Sequence, residues 1–317
     1  MKATLDKTTP VTGGIGAYAR LVKVRRFEHY LSIPLCWSLL PRSLALRART
    51  WAELGLALIT IASGLWATVA LDDLQGFRDG TDRANLARSI GPERRNAAFK
   101  PLVSGALSEE KVRRFAIACA TIGAGALVAL YAVAGGRPRW FFPVAVVMFA
   151  IALQYSSGLR LSYKGGQELV LAVTAAAVVI CPFVLVTGRL TADVGVEALL
   201  FGTWMAQVLV LGNIFDREGD RSSGRRTVAA MATAATNVRF IVLLFGIGWV
   251  ALAVVIGLGA ISLVSAVLFL PMLVYQAKAL TTALGSGLVL RGRGYAFTAF
   301  KLGVAALFAA NLMSWPR

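Results

Sequence analysis

Charged and metal-binding side chains are scarce in this sequence. Only 15% of the 317 residues are charged, and there are one histidine and three cysteines. A single histidine excludes a histidine-rich metal centre and leaves oxygen atoms as the candidate metal ligands. Cys36, Cys119 and Cys181 stand singly in apolar runs, which excludes a disulfide framework or a zinc motif. A soluble domain is also excluded, because 57% of the residues are hydrophobic and the mean hydropathy is +0.68.

Long apolar runs dominate the chain instead. Eight runs approach the roughly 20 residues that a transmembrane helix needs. They cover residues 51–71, 115–134, 140–155, 169–187, 196–215, 240–258, 261–279 and 295–315. A ninth run, 27–46, is interrupted by Pro34, Pro41 and Arg42 and is included. The sequence therefore predicts an all-α polytopic membrane protein with nine transmembrane helices, a flexible cytoplasmic tail over 1–24 and one membrane domain over 25–317.

The basic residues set the expected orientation, because cytoplasmic loops carry the excess of lysine and arginine. Nine spans place 25 Lys and Arg on one side of the membrane and seven on the other. The N-terminus and the loops that follow even-numbered spans are therefore predicted to be cytoplasmic, in what we expect to be a bacterial plasma membrane. Topology and anionic lipid account for the net charge of +17, so no nucleic-acid partner is predicted.

Seven of the 16 acidic residues fall in two short segments, each at the end of an even-numbered span. They are Asp72, Asp73, Asp79, Asp82, Asp216, Glu218 and Asp220. If the sixth span continues as a helix, Asn213, Asp216 and Asp220 share one face. A solvated, charged loop is the alternative for this segment taken alone.

The first acidic segment allows two conformations. A continuing helix would put Asp72, Gln75, Asp79 and Asp82 on one face, whereas Gly76 and Gly80 weaken a helix and make a loop from Gly80 onward equally compatible with the sequence. Packed carboxylates repel one another unless a cation lies among them, and Mg²⁺ is the natural candidate. Two acidic segments on one side of a helix bundle suggest two Mg²⁺ ions that hold one diphosphate.

Taken together, the polar segments resemble those of the UbiA superfamily of intramembrane prenyltransferases. Asp216-Arg-Glu-Gly-Asp220 and the following Gly224-Arg-Arg-Thr227 are similar to the second aspartate-rich motif of that family. Lys100-Pro-Leu-Val-Ser-Gly105 is similar to its Arg/Lys-Pro-Leu-x-Ser-Gly segment. The stretch 154–168, with Tyr155-Ser156, resembles the segment that joins the family's fourth and fifth helices.

The first motif departs from the family's Asn-Asp-x-x-Asp-x-x-x-Asp pattern. Asp72-Asp73 is a near match, but Gly76 stands where the second aspartate is expected. Asp82 is favoured over Gly80 for the last position, and Asp79 is a candidate for the missing ligand. Terpene cyclases that resemble this superfamily also have altered first motifs, so the resemblance leaves a cyclase open.

The resemblance implies a nine-helix bundle with a lipid-open central cavity, in which Mg²⁺ and a prenyl diphosphate bind. An aromatic or other lipophilic acceptor would then take the prenyl group, with membrane lipid as the surroundings. The implied metal ligands are Asp72, Asp73, Asp79, Asp82, Asp216 and Asp220. The implied catalytic residues are Lys100, Tyr155, Ser156 and Arg221, and the implied substrate contacts are Arg78, Lys164, Asn213 and Arg217.

Two other functions remain open. A terpene cyclase of the same architecture would use a prenyl diphosphate without an acceptor. A cation-coupled transporter would use the acidic segments for coupling, and Lys301, inside the last apolar run, is the best support for it. Against a transporter, the acids lie at helix ends, whereas transporter sites lie near the middle of the bilayer.

Overall fold

The structure is a computed structural model that describes residues 14–24, 28–88, 96–135, 138–259 and 261–315. Throughout these ranges all regular secondary structure is helical, which confirms the predicted all-α class. The α-helices, in chain order, are α1 Ile15–Leu21, α2 Ser32–Leu39, α3 Arg42–Ala45, α4 Ala48–Arg78, α5 Thr81–Arg88, α6 Glu109–Val133, α7 Phe141–Leu153, α8 Gln167–Thr187, α9 Ala192–Ser223, α10 Val228–Met231, α11 Ala234–Gly257, α12 Leu263–Ala266, α13 Leu270–Leu280 and α14 Val289–Met313.

Seven helical segments in the described ranges are long and apolar enough to cross a membrane. They are α4, α6, α8, α9, α11, the segment Leu263–Gly285 that contains α12 and α13, and α14. The predicted span 140–155 falls short, because α7 has only 13 residues. The membrane-spanning character is therefore confirmed, whereas only seven of the nine predicted spans reach this length and apolarity in the described residues.

The first predicted span, 27–46, is not one helix. Its described part consists of a 3₁₀ turn, His29–Leu31, followed by α2 and α3. The residue after α2, Leu40, is extended with ψ 144°, because the proline that follows disfavours the helical conformation. A helix of eight residues rises about 12 Å, which is well short of the roughly 30 Å of a hydrocarbon core. α2 therefore cannot cross the membrane by itself.

α9 is the central helix of the bundle. Of its apolar window 78% is buried, compared with 28–44% for the other six spans. Phe201 is fully buried and packs edge-on against Phe300 of α14, with ring centroids 4.9 Å apart. A helix that is apolar on all sides belongs in an interior. The acidic C-terminal end of α9 thus continues from a buried helix and contacts the short helices α5 and α10.

α4 continues beyond its apolar run, so that Asp72 and Asp73 lie in its last two turns. Gly80 then adopts a left-handed φ of 81°, which ends the helix and is readily available to glycine. α5 begins at the next residue and contacts both α4 and α9. This short helix therefore connects the two acidic segments.

The predicted tail is not separate from the bundle. Residues 1–13 lie outside the described part of the chain, but α1 follows directly. Its residues Ala17 and Leu21 are fully buried and belong to one apolar cluster with Leu74 of α4. Residues 15–21 of the predicted tail are therefore helical and packed, and the division of the chain into a tail and one membrane domain stays a prediction.

Candidate active site

A cavity of about 660 Å³ lies inside the helix bundle. Its lining includes Asp72 and Asp82 from the first acidic segment, and Asp216 and Asp220 from the second. Most of the remaining wall comes from apolar side chains in the middle of the helices, among them Ile61, Leu127, Phe149, Leu185 and Met205. Both acidic segments therefore face one cavity with a largely apolar wall.

The first acidic segment forms a helix end and a new helix. Asp79 is the residue after α4, and Gly80 breaks the chain direction before α5. The continuous helical face through Asp72 and Asp82 is therefore wrong. The alternative, a loop from Gly80 onward, holds only for the break at Gly80, because the chain is helical again from Thr81. The cause is local, because a glycine with positive φ stops a helix.

Asp79 faces neighbouring protein groups and is not part of the cavity lining. Its Oδ1 accepts hydrogen bonds from the backbone N–H and the hydroxyl of Thr81, at 3.0 and 2.6 Å, and its Oδ2 accepts one from the Tyr163 hydroxyl. Burial raises the pKa of Asp79, but these hydrogen bonds outweigh burial and hold the pKa below its usual value. Asp79 therefore caps α5 and binds the 154–168 segment.

Asp82 occupies the space next to Gly76. A β-carbon added to Gly76 would stand 3.1–3.2 Å from all three atoms of the Asp82 carboxyl group. Asp82 Oδ1 lies 2.6 Å from the Lys100 ammonium, and Oδ2 is buried without a hydrogen-bond partner in the described structure. Burial and the charge of Asp73 raise the pKa of Asp82 above its usual value, although Lys100 opposes them. The carboxylate of α5 thus lies where a side chain at position 76 would project.

Asp73 forms ion pairs with two lysines. Its Oδ1 accepts hydrogen bonds from Lys23 and Lys100, each at 2.8 Å. The Asp73 side chain is only 2% exposed and is absent from the cavity lining, whereas both lysines line the cavity. Burial lowers the pKa of Lys100, but the charges of the three nearby aspartates raise it above its usual value. Lys100 is therefore a fixed cation at the cavity.

Arg225 connects the two acidic segments. Its Nη2 donates a hydrogen bond to Asp72 Oδ1 at 2.9 Å, and its Nε lies 4.0 Å from Asp220 Oδ1. Asp220 is buried and also accepts a hydrogen bond from the Thr227 hydroxyl at 3.3 Å. Because Asp72 and Asp220 are far apart in sequence, this arginine shows directly that α4 and α9 bring their acidic ends together.

The segment 154–168 closes the same region. Tyr155 lines the cavity, and burial and the charge of Asp72 raise the pKa of its hydroxyl. Ser156 is buried behind it and donates to Asp72 Oδ1 at 2.6 Å. Tyr163 accepts a hydrogen bond from Arg225 Nη2 at 3.3 Å and lies beneath the same guanidinium. The segment therefore positions Asp72 and Arg225 from one side.

Asn213 lines the cavity but its amide is held by two neighbours. Its Nδ2 donates to Glu168 Oε1 at 2.9 Å, and its Oδ1 accepts from Gln167 Nε2 at 3.3 Å. Glu168 Oε1 also accepts from the backbone N–H of Val228, at 3.0 Å. The start of α8 thus fixes both Asn213 and the chain that follows α9.

Besides Asp73, Asp79 and Ser156, four predicted site residues are absent from the cavity lining in the described structure: Arg78, Lys164, Arg217 and Arg221. Arg78 pairs with Glu109 at 2.7 Å, and Lys164 is exposed. Arg217 and Arg221 donate to the backbone carbonyls of Ala232 and Ala230, at 2.9 and 2.6 Å. Both arginines therefore hold the loop after α9.

Sequence reasoning assigned no role to several residues at the cavity. Arg225 stood inside the quoted Gly-Arg-Arg-Thr stretch, and its position after the second acidic segment was a usable signal. Asn85 in α5 lines the cavity, and its Oδ1 lies 2.0 Å from where a β-carbon on Gly219 would stand. Lys23 lies 50 residues before its partner Asp73, so no local pattern could have marked it.

The residues at the cavity have the right ligand atoms for Mg²⁺, but they are too few to complete its coordination. Aspartate carboxylates and asparagine amides offer oxygen atoms, which are the ligands that Mg²⁺ prefers, and Asp82 Oδ2 is buried without a hydrogen-bond partner. However, nowhere in the described ranges do three His, Cys, Asp or Glu side chains converge as a metal-binding group. A metal here would need further oxygen atoms from water or from a bound phosphate.

Lys301 of α14 is explained by a local ion pair. Its Nζ lies 2.6 Å from Glu28 Oε1, and its side chain is half exposed. The pair lies beside a separate groove between α2 and α14, and Lys301 does not line the central cavity. The feature that favoured a transporter thus has a structural explanation.

The sequence matches the model of the UbiA prenyltransferase family over residues 31–285. No curated protein sequence is a significant match. Three solved structures share the fold. A digeranylgeranylglyceryl phosphate synthase has a TM-score of 0.62 at 13% identity, with 94% of this chain and 98% of that chain covered.

The other two are UbiA homologues. The homologue from Archaeoglobus fulgidus bound to DMAPP and Mg²⁺ has a TM-score of 0.59 at 15% identity, covering 94% of this chain and 98% of its own. The apo homologue from Aeropyrum pernix K1 has a TM-score of 0.59 at 17% identity, covering 89% and 97%. At these identities the likeness shows the fold, and the family match extends over most of the sequence. The protein therefore belongs to the UbiA prenyltransferase family and is an integral membrane prenyltransferase.

Proposed function

We propose that the protein ionises an allylic prenyl diphosphate with the help of Mg²⁺ and transfers the prenyl group to an aromatic acceptor. The observation that carries this proposal is the shared cavity. Its four carboxylates and two of its cations, Lys100 and Arg225, come from the ends of α4 and α9 and the chain that follows each helix, and most of its wall is apolar. A charged diphosphate and a long apolar chain need these two surroundings in one place. The solved homologue that binds DMAPP and Mg²⁺ supports the same assignment.

Two pairs of carboxylates would hold the metal. We assign Asp72 and Asp82 to one ion and Asp216 and Asp220 to the other, because these four line the cavity. Mg²⁺ takes few protein carboxylates and completes its coordination with water and phosphate oxygens, which agrees with the small number of acids on each side. When bound, the metal would stabilise the negative charge of the departing diphosphate.

The protein's own cations would complete this charge stabilisation. Lys100 and Arg225 both line the cavity and are held in place by aspartates. Fixed charges that are already oriented towards the leaving group lower the barrier to its departure. Arg217 and Arg221, which bind backbone carbonyls after α9, would act as positioning residues for Arg225.

Tyr155 would stabilise the allylic cation. Its ring is part of the cavity wall and lies near Asp72. An aromatic face stabilises a cation by about 0.5–2 kcal/mol, most strongly where water is excluded. Ser156 would act indirectly, because its hydroxyl holds Asp72.

The decisive experiment is a turnover assay with purified full-length protein in detergent. Mg²⁺ and prenyl diphosphates of increasing chain length are supplied with and without phenolic acceptors, and diphosphate release and organic products are followed. We expect release that depends on both Mg²⁺ and an aromatic acceptor. Cyclic products without an acceptor would identify a terpene cyclase instead. Transfer only to a non-aromatic lipophilic acceptor would disprove the acceptor class and leave the ionisation step intact.

Orientation is a separate part of the proposal. The excess of lysine and arginine on one side favours a cytoplasmic mouth in a bacterial plasma membrane. Labelling of single cysteines placed in the loop after α9 and in the loop after α6 should give opposite accessibility in intact cells. Equal accessibility of the two loops would contradict this topology.

A further inference from the structure

Lys23 is a cavity residue that no sequence motif marks. It follows α1, and its ammonium lies 2.8 Å from Asp73 Oδ1. Its side chain is 15% exposed and lines the cavity that contains both acidic segments. The folded N-terminal segment thus supplies a cation to the candidate active site.

The backbone holds this lysine in an unusual conformation. Lys23 has φ 50°, and in the described ranges only one other non-glycine residue, Arg160, has a positive φ. A lysine adopts this conformation rarely, and it persists where the surroundings determine it. Here α1 is packed through Ala17 and Leu21, both fully buried. The position of Lys23 is therefore fixed by packing on one side and by Asp73 on the other.

Lys23 and Lys100 form a pair of neighbouring cations. Both donate to the same atom, Asp73 Oδ1, and Lys100 also contacts Asp82. Asp73 is almost completely buried and is not part of the cavity lining, whereas both lysines are. The carboxylate therefore lies behind the ammonium groups, and the side that faces the cavity is cationic. Two adjacent ammonium groups match a ligand with several adjacent anionic oxygens.

We propose that Lys23 binds the diphosphate group of the substrate and that Asp73 is its positioning residue instead of a metal ligand. This inference rests on the proposed function of the cavity. An ammonium group has three N–H donors, so its hydrogen bond to Asp73 is compatible with a phosphate oxygen as a further acceptor. Charge-assisted hydrogen bonds of this kind are the strong ones.

The test measures binding of inorganic diphosphate to the full-length protein in detergent with Mg²⁺, by isothermal titration calorimetry. K23Q should weaken binding about tenfold, because one charge-assisted hydrogen bond is lost, and K23R should bind within about twofold of the wild type. K111Q is the matched control, because Lys111 is exposed on α6 outside the cavity lining. Binding of Mn²⁺ alone, followed by electron paramagnetic resonance, should be unchanged in K23Q, because Lys23 is not a metal ligand.

Chemical rescue provides a second test. K23C should bind diphosphate as weakly as K23Q, and modification with aminoethyl methanethiosulfonate, which restores a positive charge at a similar distance, should recover most of the affinity. Wild-type protein treated in parallel controls for Cys181, which also lines the cavity. Failure of the modified protein to regain affinity, with the modification verified by mass spectrometry, would overturn the proposal.

Two further outcomes distinguish the role of Lys23 from the proposed function of the cavity. Wild-type affinity in K23Q removes Lys23 from the diphosphate site and leaves the proposed function standing. No binding of inorganic or prenyl diphosphate by the wild type removes the proposed function itself. Orthophosphate and vesicles that contain phosphatidylglycerol are parallel arms. A K23Q effect confined to the vesicles would assign Lys23 to a lipid headgroup and refute its role in the cavity.

Discussion

Gly76 and Asp82 are close enough that an aspartate at position 76 could replace the carboxylate of Asp82. If the Asp82 carboxylate fills the space of a side chain at position 76, then a carboxylate placed at 76 should replace it once position 82 is small. The four proteins to compare are the wild type, G76D, D82A and G76D/D82A. The assay is Mg²⁺-dependent diphosphate release at saturating acceptor, with thermal unfolding in the same detergent as the measure of folding.

The structure gives the expected size of each effect. D82A removes a proposed metal ligand and one partner of Lys100, and should lower kcat/KM by about 100-fold. G76D forces a side chain into space where a β-carbon already stands 3.1–3.2 Å from the Asp82 carboxyl group. Overpacking costs about 1–3 kcal/mol, and repulsion between the two carboxylates adds to it, so G76D should be less stable and less active.

The double variant decides the question. G76D/D82A returns a carboxylate to the same space without crowding, and should exceed D82A in kcat/KM by at least about tenfold. Neighbouring residues that share space couple by about 0.5–3 kcal/mol, whereas independent sites add. The control G76N/D82A restores the size without the charge and should remain at the level of D82A. If the effects of G76D and D82A simply add in the double variant, the two positions do not share a space and the assignment of Asp82 is refuted.

Three further predictions concern the other side of the cavity. D216N and D220N should each lower Mg²⁺-dependent release by at least about 100-fold, with metal-free thermal unfolding no lower than in the wild type; a lost fold would make these residues structural. R225A should destabilise the protein by about 2 kcal/mol because the partly buried Asp72 loses a charge-assisted hydrogen bond and keeps the one from Ser156, and R225K should restore part of that loss; equal unfolding temperatures for wild type and R225A would contradict this. Y163F removes a hydrogen bond to Asp79 and should cost about 1 kcal/mol in unfolding free energy, with KM for the prenyl diphosphate changed less than kcat; an unchanged kcat would exclude a positioning role.

The membrane class was predictable because it depends on local composition. Apolar runs of sufficient length identify transmembrane helices without knowledge of the helices they pack against. All seven observed spans contain or closely match a predicted run. The predicted number of spans differs from the observed number where an apolar run forms only a short helix. Phe141–Leu153 and Ser32–Leu39 are both ordered helices, yet neither is long enough to be counted as a span.

The acidic residues of the cavity were also predictable, since carboxylates at the end of apolar helices are unusual. Their partners were not predictable from spacing. Lys23 lies 50 residues from Asp73, Ser156 lies 84 from Asp72, and Arg225 lies 153 from Asp72. A single sequence contains no record of which distant residues meet. Lys100 and the polar segment 154–168 were candidates from their residue types, and the resemblance to a family strengthened both.

The direction of a side chain cannot be read from its place in the sequence. Arg78, Arg217 and Arg221 lie within or beside the acidic segments, and the resemblance implied substrate contacts or a catalytic role for them. A helix presents successive residues on different faces, so neighbours of a cavity residue point elsewhere. Arg78 instead reaches Glu109 on α6, and the other two reach backbone carbonyls after α9.

The same electrostatics connects the stability of the ligand-free bundle with its proposed chemistry. A buried carboxylate without a partner costs several kcal/mol, and here the buried Asp73 is held by two lysines, while the partly exposed Asp72 is held by Arg225. These cations neutralise the acids before any ligand arrives, and they line the cavity where a diphosphate would bind. Each of metal and diphosphate should then bind more tightly in the presence of the other, because a metal alone approaches acids that are already paired, and a diphosphate alone meets four cavity carboxylates. We therefore expect binding of Mn²⁺ and of diphosphate to be mutually dependent, and independent binding of the two would contradict this account of the charge balance.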